Sequence, residues 1–207
     1  MPPTDRFVCR FAAEPPQEGL PYGRWAERLQ QEFLAACLAV ETEEGEELGE
    51  PGDIAFHPDR TYGGRTFIPA TAPTSTGLEL FGFVSFVPGG EAGEPSDFEA
   101  TADFTAETAE RNPEWQIDLN DEQIGRWRGE EGRVATVALV WGSPLVQGGA
   151  IVTGELAGLA VDQCVLVEDR FTLVAPDDYR SDLLEIKLFD RTGRELARES
   201  LYEDESE

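Results

Sequence analysis

The chain has 207 residues, 40% hydrophobic and 10% aromatic, with 42 acids against 16 bases and a formal net charge of −26. That apolar content supports a packed core and excludes a disordered chain. The acidic excess excludes nucleic acid and anionic membranes as partners, because both need clustered positive charge, and no apolar stretch reaches the ~20 residues of a membrane span.

The opening segment MPPTDRFVCRF lacks the apolar region of a signal peptide, so the expected compartment is the cytoplasm. Cys9, Cys37 and Cys164 stand far apart among apolar residues and read as reduced, buried thiols. A single Met, only two Asn and fifteen of the sixteen bases being Arg (Lys187 is the lone lysine) suit a high-GC organism, in which the acidity is a surface adaptation.

In chain order, RFVCRF (6–11) alternates as a first strand, and the prolines of EPPQEGLP end it. Residues 22–40 predict one long amphipathic helix. Trp25, Leu29, Phe33, Ala36, Cys37 and Val40 form its apolar stripe, and Arg28 and Glu32 are spaced as an i,i+4 pair. The segment 41–53 carries seven carboxylates in a spacing that folds around no single cation, and reads as an acidic linker.

Beyond it the chain predicts strands. GLELFGFVSFV (77–87) is apolar on both alternations, as a strand buried on both faces is. In DFEATADFTAE (97–107) Phe and Ala alternate with acids and Thr, giving a strand with one wet face in an antiparallel sheet. Stretches 133–142, 148–161 and 163–176 follow, and then LLEIKLFDRTGRELARESLY (183–202), a hairpin turning at Asp190–Gly193 whose second arm also has helix propensity. The expected fold is mainly β (α+β): an antiparallel sandwich or barrel with the helix packed on it. A single domain over 1–207 is expected, with a subdivision near 89–96 as the alternative and a frayed acidic tail at 203–207.

Chemistry is sparse. One histidine and no cysteine pair leave no zinc set, and DLNDEQIG (118–125) has Gln123 where a calcium loop turns on glycine, so no metal is expected. The glycines match neither the P-loop nor the dinucleotide fingerprint, no G-x-S-x-G elbow occurs, and no cofactor is expected. What remains is HPDRTYGGRT (57–66), at the start of an acid-free run from Arg60 to Leu78. His57, Asp59 and Tyr62 are the candidate acid–base groups. Arg60 and Arg65 suit an anionic ligand, which Gly63 and Gly64 let approach the backbone. The same residues also make an ordinary turn into a buried strand. Trp127, between Arg126 and Arg128, is a second binding candidate.

The order strand, helix, antiparallel strands, closing on LLEIKLFDRTGRELARES, loosely resembles hot-dog-fold acyl-thioesterases and dehydratases, whose last strands carry a D-x-x-G-R-type turn. The resemblance implies a helix wrapped by a sheet and an acyl-thioester enzyme, although TAPTST (71–76) stands where that fold places its long helix. The leading expectation is a non-enzymatic binding or assembly module, taking a protein partner or a second copy of itself. The alternatives are an enzyme or small-anion binder using the His57–Arg65 loop, and an acidic decoy for a basic protein.

Overall fold

The computed structural model describes residues 11, 25–42, 47–89, 94–129, 132–177, 179 and 182–201. The expected strand at 6–11 lies outside them except for Phe11, which is buried. So do Cys9, the first turn of the expected helix, the middle of the acidic segment, residues 90–93 and the tail.

Helix α1 (Ala26–Leu38) buries Leu29, Phe33 and Cys37, one residue per turn on one stripe, and leaves Leu38 79% exposed. The stripe lies on a five-stranded antiparallel sheet of β1 (Ala55–Phe56), β2 (Arg60–Tyr62), β3 (Arg65–Pro73), β4 (Glu79–Val87) and β5 (Ser96–Thr105). Period-two alternation sorts β4 between two cores. Leu80 and Val84 meet the helix, while Phe83 and the partly buried Phe81 belong to the core behind the sheet. On β5, Phe98, Ala100, Ala102 and Phe104 face the helix, and Glu99, Thr101 and Asp103 take the wet side. The Arg28 guanidinium covers the Phe98 ring at 3.7 Å and reaches Glu32 at 3.4 Å.

Residues 47–53 do not stand off as a linker. Leu48 and Ile54 pack on the helix-side core, and Pro51 bridges to Thr74.

Behind the first sheet lie two more. The second contains β6 (Ile117–Arg128), β7 (Val134–Pro144) and β10 (Phe171–Asp177), ordered β10-β7-β6. The third contains β8 (Ile151–Leu156), β9 (Leu159–Val165), β11 (Glu185–Phe189) and β12 (Glu195–Ser200), ordered β12-β11-β8-β9. The residue-195 arm of the last hairpin is therefore a strand rather than a helix. Gly154 of β8 lies beside Leu173 and Ala175 of β10, which brings the two sheets face to face. Their shared core holds the fully buried Trp141 and also takes Phe67 and Phe83 from the first sheet.

All ladders are antiparallel. The architecture is sandwich-like, with the helix on an outer face instead of being wrapped by one sheet. No helix among the described residues is long and apolar enough to cross a membrane.

Candidate functional site

The HPDR turn has a local cause. Strands β1 and β2 both pair with β3, Ala55–Phe56 opposite Thr71–Ala70 and Arg60–Tyr62 opposite Phe67–Arg65. Between them the chain leaves the ladder at Pro58, which has no N–H to donate, while His57 N–H still donates to Pro69 O at 2.9 Å. Gly63 and Gly64, at φ +59° and +82°, then close a two-residue hairpin that needs positive φ at both positions.

His57 is 3% exposed, and burial holds its pKa down at about 3. The Arg170 charge adds to the depression, and the backbone carbonyls of Phe171 and Gly142 offset part of it. The imidazole is therefore neutral at physiological pH. Burial raises the pKa of Asp59, against its own backbone and the Arg60 charge.

Arg60 is 1% exposed and points away from solvent. Its Nη2 donates to both carboxylate oxygens of Asp162 on β9, at 2.7 and 2.6 Å. Asp162 also accepts from the N–H groups of Gln163 and Val174, at 2.8 Å each. Burial raises the Asp162 pKa, and Arg60 together with these N–H groups opposes the rise. This pair clamps β2 of the first sheet to the β9–β10 seam.

Arg65 turns the other way, to Ser85 Oγ, to Asp97 at 2.5 Å and to Glu99 at 3.3 Å. Tyr62 donates to Arg126 O at 3.1 Å. The loop thus disperses its functional groups: His57 goes inward, Arg60 goes to Asp162 and Arg65 goes to the β5 edge. Trp127 packs on Tyr179 at 5.0 Å and edge-on to Phe11 at 5.9 Å, while Arg126 and Arg128 are exposed. In TAPTST, Thr74 Oγ1 donates within its turn to Leu78 O, and Thr76 Oγ1 donates to Leu48 O of the preceding segment. Cys37 and Cys164 are buried, and burial pushes their thiols up to about 11 and about 12. Among the described residues no group of three or more His, Cys, Asp or Glu could hold a metal ion.

A further concave feature lies elsewhere. An open groove of about 830 Å3 runs between β6 and β12. Trp115, Ile117, Leu119, Leu183 and Leu201 give it an apolar lining, and Leu183 is 43% exposed. Asp121, Asp182, Glu185 and Glu199 supply four carboxylates against one guanidinium, Arg198, which is already held by Glu195 at 3.0 Å and Glu185 at 3.6 Å.

The opposite face of β6 is acidic as well. Glu79 is pushed up to about 7, first by burial and then by Asp118 and Glu110, with Asn120 pulling it back. Glu122 is raised by burial and by the charges of Asp121 and Asp103.

In the sequence the near wall of the groove is carried by the alternation of Ile117 and Leu119 with Asp118, Asn120 and Glu122, in and just before DLNDEQIG. Its far wall comes from residues some eighty positions later in the chain, as the Gln116–Glu199 contact across it illustrates.

Compared with protein-family models, curated proteins and solved structures, the chain finds no match in any of the three.

Proposed function

We propose that this protein is a non-enzymatic binding module for a cationic protein partner, with the β6–β12 groove as its binding surface. The observation that carries the reading is the unbalanced set of carboxylates around an apolar lining, at a seam where two sheets part. Apolar contact supplies affinity, and the acidic rim selects the sign of the partner and speeds its approach. His57 is buried and neutral, Arg60 is paired with Asp162 between two sheets, and Arg65 is paired with Asp97 and Glu99 within its own sheet, which leaves them little to offer a substrate or an anion.

The test is calorimetric titration of the whole protein with a short peptide of valines and lysines, beside its valine–glutamate counterpart. The lysine peptide is expected to bind saturably, and to weaken as salt rises and the Debye length shrinks from about 10 Å at 0.1 M to about 3 Å at 1 M. Equal binding of both peptides, or of neither, removes the groove reading.

A second reading keeps the basic partner and moves the surface: an acidic decoy for a nucleic-acid-binding protein. It is favoured by carboxylates set along two strands, Glu99 and Asp103 on β5 and Asp118 and Glu122 on β6, with Asp103 near enough to repel Glu122. Leu183→Asp separates the two. Binding through the groove falls in that variant, whereas a decoy surface is unaffected.

A further inference from the structure

We infer that the partner enters the groove as an added β-strand on the edge of β6, and that the segment alternates aliphatic with basic residues. The inference rests on the groove reading and specifies how that groove is filled. Among the described residues β6 pairs only with β7, and β12 only with β11, so each wall of the groove is a strand edge.

The register of β6 fixes which main-chain groups face outward. Leu145 N–H donates to Gln116 O at 2.9 Å, the bond that flanks a non-bonded antiparallel pair at Ile117–Pro144. That pair has no N–H on the proline side to exchange. Antiparallel ladders alternate bonded and non-bonded pairs. The N–H and C=O groups of Ile117 and Leu119 therefore point away from β7, at the unpaired edge of β6 beside the groove.

Just before β6 begins, the Gln116 N–H leaves the ladder and donates to a side chain, Glu199 Oε1 at 3.4 Å. An incoming backbone offers Ile117 and Leu119 the partners that a third strand would give them, which is the logic of strand addition.

The side-chain rule follows from the two faces of β6. Neighbouring strands place side chains of one face side by side. On the groove face, residues of the added strand lie beside Ile117 and Leu119, where aliphatic side chains fit. On the other face they lie beside Asp118 and Glu122, in a field deepened by Glu79 and Asp103, where lysine or arginine fits. The acids on that face repel one another, Asp118 and Glu110 acting on Glu79 and Asp121 and Asp103 on Glu122, so a cation there relieves repulsion as well as gaining contact.

The experiment uses three versions of an alternating valine–lysine peptide: unmodified, N-methylated at the amides of one edge, and N-methylated at the amides of the other. Hydrogen exchange is followed at Ile117 and Leu119 of the protein. The unmodified peptide is expected to bind and to slow exchange at both amides. One N-methylated version is expected to weaken by roughly ten- to a hundredfold, from the loss of two main-chain hydrogen bonds, while the other binds as before. Equal binding by all three versions, or unchanged exchange at Ile117 and Leu119 with the peptide bound, overturns strand addition and leaves the groove reading standing. Failure of the unmodified peptide to bind overturns both.

Discussion

At the scale of single residues, Arg60 and Asp162 decide how the interior tolerates charge. The two side chains are 0% and 7% exposed, so each is costly to bury alone and their pairing offsets that cost. Asp162→Ala leaves a guanidinium without its carboxylate and is expected to destabilise the fold by about 3–5 kcal/mol, read as a lower urea midpoint. Replacing both partners by Arg60→Met with Asp162→Leu is expected to recover most of that loss. A double variant as unstable as the single one contradicts the pairing account. Arg60 looked like an anion ligand in the sequence because its partner lies 102 positions further on. Turn chemistry at Pro58, Gly63 and Gly64 was legible because it is local, whereas the destination of a long side chain depends on strands that have not yet appeared.

Among the elements, α1 shows how little of a helix carries its attachment. Phe33 is fully buried between turns, whereas Leu38 is 79% exposed. Phe33→Ala is expected to cost about 3–5 kcal/mol, and Leu38→Gln to stay within about 0.5 kcal/mol, both measured by thermal melts. Comparable losses at the two positions contradict the packing of α1 on β4 and β5. The helix stripe, the doubly buried β4 and the one-sided β5 could all be read from periodicity, because each repeats over several residues. The β8–β9 hairpin could not. Its turn is Ala157–Gly158, and alanine, here at φ +50°, does not announce a turn. The turn after β9 hides in the same way, with Glu168 and Asp169 at φ +50° and +57°.

For the molecule as a whole, the net charge of −26 makes protonation a term in stability. Glu79 titrates at about 7 in the folded protein against an ordinary 4.5. Between those values the folded state holds a proton that the unfolded state has released, so stability falls as pH rises through the window. His57, at about 3 against 6.5, has the opposite sign: the unfolded state holds the extra proton, and stability falls as pH drops below 6.5. From about 4.5 to 6.5 the two groups oppose each other. Glu79→Gln removes one of them. The variant is expected to gain on the parent as pH climbs from about 4.5 to about 7, by at most about 3 kcal/mol, and to keep a constant advantage above. Melting temperatures taken from pH 4 to 8 check this, and a difference that does not change with pH contradicts the burial of Glu79 beside Asp118 and Glu110. None of this could be read from composition, which counts carboxylates without saying which of them share a face.

The strand order of the second and third sheets also sets the sequence of events during synthesis. Strand β10 completes the β6–β7 pair, yet it leaves the ribosome after β8 and β9, which belong to the other sheet. The nascent β6–β7 hairpin therefore waits with Leu139 and Trp141 uncovered until residues 171–177 have been made. The first sheet is continuous from 55 to 105 and has no such wait. Between Pro144 and Phe171 the growing chain therefore exposes an incomplete apolar sheet, the kind of surface on which mispairing with another copy starts.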